Sequence, residues 1–433
     1  MFRTIANAWK TADLRKKMIF TLFIILLYRI GANIPVPFVN INEALDTTGG
    51  TFLTYFSMMT GSAFNYGTLF ALGVTPYINS SIIIQLLGVA IPAIGALEKE
   101  GEEGRKKIAT ITRYLTIGLA LLQSVAYYFY IKNSDASYLY SVEGTGAMIF
   151  EAVVIVLCFT AGSALVMWLG EQINDRGIGN GISIILFAGI VSRIPTLMAS
   201  LWQYFQKGGA YYALSPIVLV AFLLMIAYIV WMDNAERRLP IQYAKRVVGR
   251  KMYGGQSTHM PIKVNMSGVL PIIFASSILS IPTTIQMFVN VEEGTFWSKF
   301  FKVFSSDYWP YAIIYFFLII FFAYFYATIQ YNPVEMANNL RKNSGAIPGI
   351  RPGKPTSDYI AKIINRVTLL GALLISVVAL FPIVFQLSTT AAGRAMQISM
   401  GGTSLIIVVG VALETVKSLE SQMMMRHYKG FLD

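Results

Sequence analysis

Two histidines and one cysteine in 433 residues leave little from which to build a reactive centre. His259 and His427 stand far apart, outside the apolar runs. Solvated surface side chains account for them, and no metal site or acid–base pair is indicated. Cys158 has no partner for a disulfide within the chain, and its apolar neighbours suit a small buried side chain. A P-loop is missing: Gly353-Lys354 is followed by proline and lacks the upstream glycine. "GIGNG" at 177–181 lies between two apolar runs and follows no strand, which excludes a dinucleotide fingerprint. Charge is scarce as well. Asp, Glu, Lys and Arg make up 13% of the chain, against about 25% in soluble domains.

What is present is apolar. Hydrophobic residues make up 55% of the chain, and the mean hydropathy is +0.58. Ten stretches read as membrane spans, near 18–36, 74–92, 108–131, 147–169, 181–200, 214–232, 268–288, 310–330, 367–387 and 403–420. The predicted class is an all-α polytopic membrane protein. The first run is long, and Arg29 interrupts it before any small-residue cleavage site, so an uncleaved first span is expected rather than a signal peptide. Before it, residues 1–17 place Phe2, Ile5, Ala6, Trp9 and Ala12 at helical spacing, which predicts an amphipathic cytoplasmic segment on the inner surface.

Basic residues set the orientation. Of 34 lysines and arginines, twenty-six fall on the termini and on loops 93–107, 170–180, 233–267 and 331–366, and six on the opposite side. The basic side is cytoplasmic by the positive-inside rule, so both termini are expected in the cytoplasm. The span centres are nearly free of carboxylates. Glu151 and Glu414 lie toward span ends, and Glu414 is the best argument for a proton-coupled carrier. A small-solute carrier and a membrane-embedded enzyme are the competing classes. Sparse intramembrane charge and the shortage of histidine disfavour both. The two longest basic loops, 233–267 and 331–366, attract acidic partners such as lipid headgroups, RNA or an acidic protein face. "IPGIRPGKP" stiffens the second of them with proline and glycine.

"SAFNYGTLFALGVTPYINSSIIIQLLGVAIP", residues 62–92, is too long for one span and is cut by Gly73 and Pro76. The piece 62–73 is predicted to be a half-helix that cannot cross alone and must sit in a protein-lined or watery cavity. Its mixture of Phe64, Leu69, Phe70 and Leu72 with Asn65, Tyr66 and Thr68 suits weak packing and release. Past the break, Ile78 and Ile82 share one helix face.

"GTLFALGVTPYINSSIIIQLL", "EGEEGRKKIATITRY", "WLGEQINDRGIGNGISIILFAGIV", "ERRLPIQYAKR", "MPIKVNMSGVLPIIFASSI", "NPVEMANNLRKNSGAIPGIRPGKPT" and "GGTSLIIVV" together resemble the SecY family, the central subunit of the bacterial protein-conducting channel. The resemblance runs over essentially the whole chain. It implies two pseudo-symmetric five-helix halves, 18–204 and 205–420, and a cytoplasmic tail at 421–433. It implies that 62–73, ending at Gly73, is a plug, and that Ile78, Ile82, Leu186, Ile273, Ile281 and Ile407 form a pore ring, with Leu186 where isoleucine is usual. An apolar waist blocks ions by dewetting and offers a passing chain nothing to grip. Asn79, Ser80, Ser81, Gln85, Ser276 and Ser277 fall at the lateral gate, where small polar residues allow close helix contact. Arg237, Arg238, Lys245, Arg246, Arg250 and Arg351 fall on the surface that docks a ribosome or the SecA motor. The implied partners are SecE, SecG, SecA, the ribosome, an unfolded secretory polypeptide with its signal sequence, and membrane lipids. No cofactor is implied, and the implied location is the plasma (inner) membrane.

Overall fold

The computed structural model describes residues 6, 8–40, 57, 60–134, 139–140, 144–209, 211–243, 246–248, 251–253, 257–266, 268–288, 295–304, 308–391 and 402–429. Two units emerge from the packing. One comprises Met1–Ser215, Met287–Val289 and Ile407–Asp433, and the other Pro216–Gln286 and Asn290–Ile406.

The first unit begins with α1 (Ala12–Gly31), α2 (Thr75–Ala90), α3 (Pro92–Lys99), α4 (Glu102–Ser134) and α5 (Thr145–Arg176). Then come α6 (Gly181–Val191) and α7 (Ile194–Gln206). Helices α4 and α5 pack along each other. Buried Ser124 Oγ meets Thr160 Oγ1 at 3.1 Å between them. Toward the other end Arg113 Nε donates to Glu171 Oε1 at 2.6 Å. The glycine-rich turn 177–181 serves packing: Gly179 takes φ +73°, and Asn174 Oδ1 accepts the Gly181 amide at 2.7 Å. Asn180 caps α6 by accepting from the amides of Ile182 and Ser183. Ahead of α1, Ala8 joins Leu14 in a small core with Ile178 and Leu419. Ala6, Trp9 and Ala12, three members of the predicted amphipathic face, remain exposed.

The second unit contains most of α8 (Tyr211–Asn234), then β1 (Glu236–Tyr243), β2 (Arg246–Val248), β3 (Lys251–Tyr253) and β4 (Ser257–Lys263). After these come α9 (Leu270–Phe288), α10 (Phe296–Val303), α11 (Trp309–Gln330), α12 (Pro333–Lys342), β5 (Gly345–Ala346) and α13 (Lys354–Ala391). Helix α14 (Gly402–Lys429) starts here and continues into the first unit. Strands β4, β1 and β5 form one antiparallel sheet in that order, with Leu239 opposite Met260 and Gln242 opposite Ala346. Along β1 the side chains alternate: Leu239 and Ile241 point into a core with Ile262, Met266, Leu340 and Ile360, while Arg238, Pro240 and Gln242 point out. The two basic loops therefore fold into one small subdomain, although the whole stretch 268–330 separates them along the chain. The helical class holds, and among the described residues strands are confined to these two loops.

Helices cover every predicted span, with shifted edges: α1 ends at Gly31, and α13 begins thirteen residues before 367. Among the described residues, six stretches are long and apolar enough to cross a membrane: Glu102–Lys132, Thr145–Arg176, Gly181–Gln206, Tyr211–Asn234, Trp309–Lys342 and Lys354–Thr389. The remaining four spans are helical too, and two of them fall short in length or charge. Helix α2 has 16 residues, and α1 carries Arg15, Lys16, Lys17 and Arg29.

Candidate functional site

The segment 62–73 is not a half-helix. Ser57 and Thr60 are helical, and the helix stops where Gly61 and Ser62 take φ +65° and +75°. From there to Val74 the chain runs as linked turns. The amides of Asn65, Gly67, Ala71, Gly73 and Thr75 each bond the carbonyl three residues back, at 2.9–3.3 Å. Gly61, Gly67 and Gly73 all have positive φ, and this recurrence every six residues stops a helix from propagating.

Nor does this segment pack weakly. Phe64, Phe70 and Leu72 are buried, at 4%, 5% and 2% exposure. Phe64 packs on Tyr127 of α4 with ring centroids 4.4 Å apart, and Tyr127 OH donates to the Phe64 carbonyl. Phe70 stacks on Tyr28 of α1 at 5.8 Å and fills the space over Gly31, where any side chain would collide with its ring. The Leu69 amide donates to Ile34 O at 2.9 Å. The Leu69 carbonyl lies so close to Gly162 of α5 that a Cβ there would clash. Ser163 Oγ donates to Gly73 O at 3.3 Å. The polar residues that suggested release differ in their surroundings. Thr68 Oγ1 donates to Ala63 O at 3.2 Å, Tyr66 is exposed, and Asn65 Oδ1 is buried without a hydrogen-bond partner among the described residues. Three large apolar side chains, each stabilising by about 2 kcal/mol on burial, hold this segment in place.

Residues 78–85 lie on α2 as expected. Ile78 and Ile82 sit one turn apart, half-buried and buried. Leu186 of α6 and Ile407 of α14 are buried in the first unit, and Ile273 of α9 in the second. The side chain of Ile281 lies outside the described residues. Among the expected gate residues, Ser80 is fully buried and spends its hydroxyl on Pro76 O at 2.8 Å in its own helix. Ser276 does the same with Ile273 O at 3.0 Å. Asn79 and Ser81 are half-buried and Gln85 is exposed, while the Ser277 side chain lies outside the described residues. Of the two carboxylates that suggested coupling, Glu414 is exposed and Glu151 buried.

In the sheet subdomain Arg237 and Arg238 are exposed on β1, with Arg238 Nε bonded to Glu236 Oε1 at 2.7 Å. Lys245 and Arg250 lie outside the described residues, as does the side chain of Arg246. Arg351 is exposed at a tip anchored on both sides. Ile347 is buried in the subdomain core with Ile350 packed against it, and Arg351 O accepts from Thr356 Oγ1 at 2.8 Å. Gly349 and Gly353 flank it at φ +80° and +109°. Asn332 caps α12 through the amides of Val334 and Glu335, with Pro333 in the first turn.

Several contributing residues escaped sequence reasoning: Tyr127, Gly162 and Ser163, which grip the turn segment, and Arg29 and Arg193, which stand beside its start. Arg29 carried a readable signal, since a cation within a predicted span requires a reason. The glycine and serine carried none, because their role depends on a strap about ninety residues away.

Comparison with known proteins places this architecture. The SecY family model matches residues 68–416. Curated relatives named protein translocase subunit SecY, from Streptomyces coelicolor and from Mycobacterium tuberculosis, are each 44% identical over the full length of both chains. Among solved structures, one described as a protein conducting channel superposes with TM-score 0.62 at 18% identity, covering 94% of this chain and 92% of its own. The Sec61 channel of a canine ribosome–channel complex gives TM-score 0.59 at 17% identity with the same coverage. A SecY structure whose plug domain is described as stabilising the closed state also gives 0.59. With buried helices, a strapped turn segment and a basic sheet subdomain in the order the motifs require, the chain belongs to the SecY family.

Proposed function

We propose that the chain is the protein-conducting subunit of a bacterial translocase. It passes unfolded secretory polypeptides across the plasma membrane and releases membrane segments sideways into lipid. The full-length 44% identity to SecY translocase subunits carries this reading. Both termini and the sheet subdomain face the cytoplasm, in line with the basic bias of those segments. Ile78, Ile82, Leu186, Ile273, Ile281 and Ile407 form the waist. The lateral gate runs along α2 and α9, at Asn79, Ser80, Ser81, Gln85, Ser276 and Ser277. Segment 62–73 is the plug, folded as packed turns rather than as a half-helix.

The chain has no nucleotide motif, so the driving energy comes from a partner. Arg237, Arg238, Lys245, Arg246, Arg250 and Arg351 dock the ribosome or the SecA motor, and SecE and SecG complete the channel. The subunit is not itself an enzyme.

A disulfide crosslink tests the waist. In a Cys158→Ser background, Ile82→Cys is offered a stalled secretory chain bearing one cysteine. A crosslink that depends on a functional signal sequence is expected. If position 82 stays unreactive while exposed position 89 of the same helix reacts, the ring assignment fails. If no position along α2 reacts, the protein-conducting reading fails with it.

A further inference from the structure

Helix α10 is eight residues long, about 12 Å, and cannot cross a bilayer. Residues 304–308 alone separate it from α11, which begins a stretch apolar enough to cross, and the two helices touch. Helix α10 therefore stays at the end where α11 starts. At about 100° per residue its side chains fall on three faces. Ser298 and Phe301 are buried and share the inward face. Phe296, Trp297 and Phe300 form an open aromatic face, at 74%, 57% and 39% exposure. Their rings run on as one patch: Trp297 and Phe300 have centroids 5.9 Å apart, and Phe300 and Phe304 5.1 Å. Lys299 and Lys302, both exposed, occupy the third face one turn apart.

A contiguous exposed apolar patch marks an interaction surface. Position and charge select what covers this one. Tyr308 and Trp309, at the start of α11, are exposed as well, and amphipathic rings gather at the headgroup level of a bilayer. The lysine face borders the aromatic face on the side away from Phe301. It sets two cations beside the rings, which matches phosphates lying over an acyl boundary. Buried protein interfaces, by contrast, are depleted of lysine.

We propose that α10 is an interfacial anchor. Its aromatic face lies at the boundary of headgroups and acyl chains in the bilayer that α11 enters, and Lys299 and Lys302 bind the phosphates of anionic phospholipids. The inference rests on the reading of α11 as a membrane span.

The test uses the full-length Cys158→Ser chain assembled with cysteine-free partner subunits in nanodiscs. A bimane fluorophore is attached to Phe300→Cys, and its quenching by brominated phosphatidylglycerol, brominated phosphatidylcholine and aqueous iodide is compared. Both lipids are expected to quench, with phosphatidylglycerol favoured about tenfold or more at equal mole fraction, the combined contribution of two lysines near an anionic surface. Lys299→Gln combined with Lys302→Gln should abolish that preference and leave quenching by phosphatidylcholine in place. Quenching by iodide and by neither lipid puts the face in water and overturns the anchor. Protection from all three quenchers puts a protein partner over the face and overturns it too. Equal quenching by the two lipids overturns the assignment of the lysines. Phe296→Cys reports on the same face if Phe300→Cys fails to fold.

A label at Phe317→Cys, an exposed position within α11, separates this assignment from the span it rests on. Lipid quenching at 317 with none at 300 preserves the span and overturns the anchor alone. No lipid quenching at either position overturns the span, and the anchor with it.

Discussion

Gly162 lacks a side chain because the Leu69 carbonyl occupies the place a Cβ would take. Gly118 of α4 has the same residue type, sits in an exposed helix interior and has nothing within 4 Å. The pair makes a controlled comparison. Gly162→Ala should destabilise by about 2 kcal/mol or more through overpacking against backbone that cannot yield. Gly118→Ala should be neutral or slightly stabilising, since alanine is the better helix former by about 1 kcal/mol. Thermal unfolding of the purified protein in detergent reads both, and equal melting temperatures for the two variants would contradict the close approach. Gly31 under the Phe70 ring follows the same logic on α1. At this scale the fold is decided by glycines that admit a neighbour, and neither glycine can be told from an ordinary helical one without knowing that neighbour.

Among the elements, the turn segment and the sheet subdomain departed most from expectation, for opposite reasons. The segment 62–73 contains enough apolar residues for a helix, but glycines at 61, 67 and 73 adopt positive φ and convert it into turns. Glycine spacing was visible in the sequence, but its conformation was not. The basic loops read as two separate partner-attracting stretches, the second stiffened by proline and glycine. They become one element because Gln242 and Tyr243 pair with Ala346 and Gly345, and because Leu239, Ile241 and Ile347 share a core. Arg351 is thereby displayed on an anchored tip rather than on a free loop. Arg351→Glu should cut translocation strongly while the channel still inserts and melts as the parent does, since this exposed side chain contributes nothing to the core. Normal translocation by a stably inserted Arg351→Glu channel would remove the residue from the docking surface.

For the molecule as a whole, the proposed function requires a lateral gate closed by only a small margin. Two of the hydroxyls expected there, Ser80 and Ser276, are bonded within their own helices. That leaves Asn79, half-buried on α2, as the stronger candidate for contact across the gate. Asn79→Leu is expected to change how hydrophobic a signal sequence must be to open the channel. Translocation measured across a graded series of signals reads this shift, and an unchanged threshold would exclude Asn79 from the seam.

Composition and pattern by themselves determined that this is a helical membrane protein. They also marked ten apolar stretches, and the structure places helices over them with shifted edges. Those properties follow from hydropathy and local charge, which are additive along the chain and need no partner residue. Tertiary structure alone decided that 63–74 is a buried strap, that two distant loops make one sheet, and that Arg193 reaches Ser57. Each of these depends on atoms brought together from positions far apart along the chain, where short-range periodicity carries no information.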